Sequence, residues 1–300
     1  LLYLIFLLVI SACKDSAKTA TEIDPEFTDY ISGFTSGVIS AQSDIHIRLS
    51  SELPPALREK AADMELLKIK PTVRGTLGWI NKRTLQFTPD KPLSPGTQYT
   101  ATFHLDKLLE VPGHLSTLTF KFQNIEQAVL LEIKGLESAG HQQLEKQELS
   151  GTVRTADYAA EAELEQILSA KQNGKDLAIR WNHGIDGRIH EFIIEDIART
   201  GEPGEVLLSW DGKNIGCSDS GEKRVEIPAL GDFKMMKVLV TQQPDQYASV
   251  YFSDPLDRGQ DLTGLVYLES GEEVSVERNG SQLLLYPQKR LTGPQTIVIH

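Results

Sequence analysis

The chain has 300 residues, 40% of them hydrophobic, with 42 acidic against 30 basic residues and a formal net charge of −12. Spread along the chain without any Lys/Arg cluster, that charge argues against nucleic acid as a partner, and the apolar content is enough for packed cores in two or three domains. The only cysteines are Cys13 and Cys217, and with Cys13 expected to carry a lipid only Cys217 is left, so no intrachain disulfide is expected.

The chain opens LLYLIFLLVISAC. The apolar run Leu1–Ile10 is about half of the roughly 20 residues needed to cross a bilayer, and the polar stretch KDSAKTATEIDPE follows at once. A run of this length ending in small residues fits the hydrophobic part and cleavage site of an export signal, so the sequence is expected to start inside its signal peptide. Ile10-Ser11-Ala12-Cys13 resembles the lipobox of bacterial lipoproteins, in which the Cys becomes the N-terminus and carries the lipid. Cys13 is therefore the predicted lipidation site, and each acyl CH₂ buried would contribute about 0.8 kcal/mol to anchoring. Residues 1–24 are read as signal remnant and flexible leash. Lys-Asp directly after Cys13 resembles in part a signal that sends lipoproteins of some Gram-negative bacteria to the outer surface.

Beyond the leash, short alternating or β-branched runs recur between Gly, Pro, Asn and Asp at intervals of about ten residues. They include DIHIRLS (44–50), RTLQFTP (83–89), TQYTATFHL (97–105), STLTFKF (116–122), DLAIRW (176–181), RIHEFII (188–194), EVLLSW (205–210), KMMKVLVT (234–241), ASVYF (248–252), GLVYLE (264–269) and QLLLY (282–286). The pattern predicts an all-β chain of tandem antiparallel Ig-like sandwiches. One stretch, AAEAELEQILSAKQNG, reads differently: Ala160, Leu164, Ile167, Leu168 and Lys171 follow a 3.6-residue period and Asn173-Gly174 supplies a stop. It predicts a helix near 156–172, covering the second sandwich.

An internal repeat sets the domain count. Pro89, Lys91, Leu93 and Tyr99 have counterparts in Pro287, Lys289, Leu291 and Ile297 at a constant offset of 198. Strand, Pro-containing turn, apolar anchor, Gly turn and strand follow one another in both copies, with the Pro placed where no ladder N–H is missed. The repeat gives sandwich 1 over 25–125, sandwich 2 over 126–243, and the start of sandwich 3 over 244–300, a copy of the first. Because STLTFKF has no counterpart after His300, the third sandwich is expected to be cut short.

Motifs of catalysis are sparse. There is no G-x-S-x-G elbow, P-loop or CxxC pair, and HEFII (190–194) has Ile194 where a zinc protease needs its second His. In WNHGIDGRIHEF, His183, Asp186 and His190 could converge on a metal across a hairpin, but NHGIDG reads better as a Gly/Asp turn with exposed side chains. Cys217 in GCSDSG lacks the basic or helix-start surroundings of a reactive thiol and reads as a small residue in a turn or sandwich. Trp79, Trp181 and Trp210 lie at or near strand ends and are expected to pack rather than form a carbohydrate platform. No catalytic, metal or cofactor-binding residue is assigned, and the chain is not read as an enzyme.

FTSGVIS, RTLQFTPDKPLSPGTQYTATF and FSDPLDRGQDL, taken together over residues 25–300, resemble the N-terminal region of lipid-anchored bacterial alpha-2-macroglobulin family proteins. The resemblance implies long chains of macroglobulin-type sandwiches that form a shell, collapse when a protease cleaves a bait segment, and in many members bond to that protease through a Cys-x-Glu-Gln thioester. No such motif surrounds Cys217, so the resemblance makes this stretch scaffold of an endopeptidase inhibitor held by a lipid in a Gram-negative envelope, on its periplasmic or surface face. Its partners would be proteases, met by other parts of the protein, and the bilayer through Cys13, with a monomer favoured. The other reading is a lipid-anchored Ig-like adhesin or glycan-binding lipoprotein.

Overall fold

Alternation of apolar and polar residues becomes strand in each of the runs quoted above. The structure, a computed structural model, describes residues 23–61, 65–138 and 144–300, so Cys13 and its lipobox lie outside the described residues. The chain forms two compact units: one from residues up to 39, 43–92 and 98–123, the other from 40–42, 93–97 and 124–300.

The first unit contains β1 (Ile31–Phe34), β2 (Gly37–Ile39), β3 (Ile45–Leu49), β4 (Leu67–Lys70), β5 (Gly75–Trp79), β6 (Thr84–Pro89), β7 (Gln98–His104) and β8 (Thr117–Asn124), with the short helix α1 (Pro55–Ala61) between β3 and β4. Two four-stranded sheets result, in the orders β1-β3-β6-β5 and β2-β8-β7-β4. Their buried faces follow from the period of two: Ile45, Ile47, Leu49, Leu85 and Phe87 on one sheet, Ala101, Phe103, Leu118, Phe120 and Phe122 on the other. The sheets meet where Phe34 of β1 packs on Phe120 of β8, ring centroids 5.0 Å apart. Each such large apolar side chain taken out of water contributes about 1.5–3 kcal/mol.

The second unit begins with β9 (Val129–Ser138), β10 (Lys146–Thr155), α2 (Glu161–Leu164), β11 (Leu168–Gln172), β12 (Lys175–Asp176), β13 (Ile179–His183), β14 (Ile189–Ala198), β15 (Gly204–Asp211) and β16 (Ser220–Ile227). The sheets β13-β14-β10-β9 and β12-β11-β15-β16 enclose one core, in which Leu149, Val153, Phe192 and Ile194 meet Ala170, Val206, Leu208 and Ile227. The unit continues with β17 (Met235–Thr241), β18 (Tyr247–Phe252), β19 (Val266–Leu268), β20 (Val274–Asn279), β21 (Gln282–Pro287) and β22 (Ile297–Ile299). These make the sheet β17-β18-β21-β20 and the two-stranded sheet β19-β22, around Val250, Phe252, Leu283 and Leu285.

The helix expected near 156–172 is a correction. Helical residues there are confined to α2 and one 3₁₀ turn, Glu165–Ile167. From Leu168 the chain is strand, buried at Leu168, Ala170 and Gln172 and exposed at Ser169 and Lys171. Asn173 and Gly174, with φ of 51° and 76°, form the two-residue turn of the β11–β12 hairpin, across which Gln172 pairs with Lys175. Asn-Gly is the preferred sequence for such a turn because both central residues take positive φ. A two-residue turn between paired strands has displaced the helix stop that the same dipeptide suggested.

Candidate functional site

Strands β13 and β14 form a hairpin in which His183 and His190 are register partners. Gly184 and Ile189 close its end through Gly184 N–H to the Ile189 carbonyl, 2.8 Å. Asp186 takes no part in a metal-like cluster: its Oδ1 accepts the Arg188 backbone N–H at 3.1 Å and so organises the turn. Among the described residues no group of three or more His, Cys, Asp or Glu side chains is placed to hold a metal. The two histidines do come together, Nδ1 to Nδ1 at 2.8 Å, and Glu165, from the 3₁₀ turn after α2, lies 3.1 Å from His183 Nε2.

Hydrogen-bond chemistry orders this chain of groups. A carboxylate only accepts, so His183 donates Nε2–H to Glu165. One of the two imidazoles donates across the Nδ1–Nδ1 contact, and the buried Nε2 of His190 has no hydrogen-bond partner. His190, outside the NHGIDG turn, is fully buried, and His183, within that turn, is mostly buried rather than exposed. Burial, and next the neighbouring His183, hold the pKa of His190 below 6.5, while the Gly187 carbonyl and the Asp186 and Glu161 charges pull weakly the other way. Trp181 stacks on His183 with planes 8° apart and leans on Phe192. The pair ties the 3₁₀ turn to the hairpin.

Cys217 is buried beside Gly212, its sulfur accepts the Asp219 N–H at 3.3 Å, and burial raises its pKa, the opposite of what activates a thiol. Trp210 covers Gly221, where a Cβ would sit 2.5 Å from the indole. Trp181 and Trp210 both pack against the core of β9–β16.

The densest buried polar site is one that sequence reasoning missed. Arg199, after β14, forms a two-point pair with Asp254, after β18, and also donates to the carbonyls of Pro228 (3.0 Å), Ala229 (2.8 Å) and Asp232 (3.0 Å). Ser253, fully buried, donates to Asp254 Oδ2 at 2.7 Å and accepts the Lys234 N–H at 2.9 Å, while its carbonyl accepts from Gln147 Nε2 at 3.0 Å. A β-bulge precedes Arg199: opposite Glu148 the β14 strand inserts Asp196 at φ 56°, and Leu149 and Gln147 pair with Ile194 and Ile197. The sequence signal, a lone Arg after an apolar strand and a Ser-Asp after another, was present at both ends but nothing in it linked them.

No protein-family model and no curated protein matches the chain. Among solved structures it is similar to L,D-transpeptidase 3 from Mycobacterium tuberculosis in complex with a faropenem-derived adduct (14% identity, 42% of this chain, 46% of that one, TM-score 0.27). It is also similar to the Ig1–Ig3 ectodomain of mouse nectin-like molecule 4 (13% identity, 85% of this chain and 87% of that one, TM-score 0.27) and to the titin Ig tandem A164–A165 (8% identity, 65% of this chain and 94% of that one, TM-score 0.23). The chain spans less than half the length of the transpeptidase structure. The all-β sandwich assignment rests on the strand pairings described above.

Proposed function

We propose that this chain is scaffold from an envelope-anchored, alpha-2-macroglobulin-like endopeptidase inhibitor, tethered through a lipid on Cys13. The observation that carries the reading is the joint occurrence of FTSGVIS, the PLSPGTQY-containing repeat and FSDPLDRGQDL behind a lipobox. What supports it physically is how the polar side chains are used. The buried groups His190, Cys217 and Arg199, and the partly buried Asp254, are each spent on internal bonds or closed in by packing. A wall that must hold shape without disulfides has this use for them.

The test uses the complete protein, incubated with a broad-specificity protease and run on a denaturing gel. A covalent adduct that disappears after methylamine pretreatment supports a thioester trap with this chain as its anchored wall. Cleavage without adduct, leaving the protease fully active on large substrates, removes the trapping reading in favour of a surface-binding module.

A further inference from the structure

The sheet β17-β18-β21-β20 repeats the order and pairing of β1-β3-β6-β5. Val250 pairs with Leu283 and Ala248 with Leu285, as Ile47 pairs with Leu85 and Ile45 with Phe87. On the outer strand, Met235 and Val238 face Phe252 and Val250, as Ile31 and Phe34 face Leu49 and Ile47. The covering sheets differ. In the first unit β7 is flanked by β4 and by β8, with Phe120 opposite Ala101 and Phe122 opposite Tyr99. In the second, β22 pairs with β19 alone among the described residues, and its other edge carries no strand.

The consequence is visible in exposure. Ile31 is 5% exposed, whereas its counterpart Met235 is 59% exposed, and Val238 and Val240 are 42% and 59% exposed. An apolar cleft of about 700 Å³ lies here, lined by Val238, Val240, Val250, Leu285, Ile297 and Ile299. A row of unpaired backbone groups beside an apolar trough is what an added β-strand recognises.

We infer that this cleft is filled by one more β-strand of the protein's own polypeptide, antiparallel along the free edge of β22 as β8 is along β7. The repeat specifies its chemistry: an extended segment with large apolar side chains at alternate positions, two of them opposite Ile297 and Ile299 where Phe122 and Phe120 stand opposite Tyr99 and Ala101. Those side chains would cover Val238 as Phe120 covers Phe34. The inference is independent of whether the protein traps proteases.

Maleimide labelling at position 240 tests it, with rates read by peptide mass mapping in two proteins: the 300-residue chain and the product of the complete reading frame. Val240→Cys is expected to label at least tenfold more slowly in the longer protein, while Ile185→Cys, at a fully exposed hairpin tip, labels equally in both. Val238→Cys serves as a second probe of the same cleft. Equal rates at 238 and 240 in the two proteins would overturn the inference, as would a reading frame that supplies no further strand.

Discussion

Arg199 and Asp254 form a two-point ion pair in which the guanidinium is fully buried and Asp254 nearly so, and the pair joins the end of β14 to the turn after β18. Three carbonyls also accept from Arg199 and Ser253 donates to Asp254, so Nε, Nη1 and Nη2 of the planar fork each have an acceptor. Arg199→Met leaves the Asp254 carboxylate and those carbonyls without their donor, so a loss of about 3–5 kcal/mol is expected from urea unfolding. Arg199→Lys recovers only part of it, since an ammonium cannot span both carboxylate oxygens and the carbonyls. A loss under about 1 kcal/mol for Arg199→Met would show that water replaces the pair.

The His190–His183 contact predicts a pH dependence with a definite sign. His190 titrates below 6.5 in the folded chain, chiefly because it is buried, whereas the unfolded chain takes up the proton near 6.5. The unfolded state thus binds more protons below that pH, and the stabilisation, complete above 6.5, is lost as pH falls toward the lowered folded value. His190→Phe removes the group. Its stability should fall less steeply between pH 7 and pH 5 than that of the natural chain, by up to about 1.4 kcal/mol per pH unit. Parallel slopes in urea titrations at the two pH values would count against a buried His190 that resists protonation.

The strands were legible because each carries its period of two in its own sequence: Ile45, Ile47 and Leu49 declare one face without reference to anything distant. The segment 160–172 was not, because Leu164, Ile167 and Leu168 satisfy a helical period while Leu168, Ala170 and Gln172 satisfy a strand period. Pairing with β15, from Leu168–Trp210 to Gln172–Val206, decides the matter, and that partner is nearly forty residues away. Separation along the chain also hid Glu165 from His183, 18 residues on, and Arg199 from Asp254, 55 residues on. Polar clusters assembled by tertiary contact leave no local period to read.

That hairpin supplies its own check. Gly174 sits at φ 76° with open space around it, so a side chain there meets backbone strain rather than a clash. Gly174→Val is expected to destabilise by about 1–2 kcal/mol, the cost of holding an L-residue in the left-handed region. Asn173→Gly should be nearly silent, because glycine takes positive φ freely. Were the segment a helix instead, Gly174→Val would extend it, and far-UV circular dichroism would gain helical signal rather than unfolding at lower urea.

Gly151 predicts a different kind of failure, set by space. A Cβ there would lie 2.2 Å from Phe192 Cζ and 2.7 Å from the Glu132 carbonyl oxygen, in the middle of β10 and opposite Phe192 itself. Gly151→Ala therefore forces the ring or the β9 backbone to move, and overpacking of this sort costs about 1–3 kcal/mol. Phe192→Leu alone also destabilises, by emptying part of the core. Combined, the two substitutions should cost less than the sum of the singles by more than about 0.5 kcal/mol, because the smaller side chain vacates the space the new methyl needs. The rescue stays incomplete, since the Glu132 carbonyl is backbone and cannot retreat without breaking its place in the sheet. Additive losses in urea unfolding would mean that the methyl collides with the strand alone, and that Phe192 is not what requires glycine at this position.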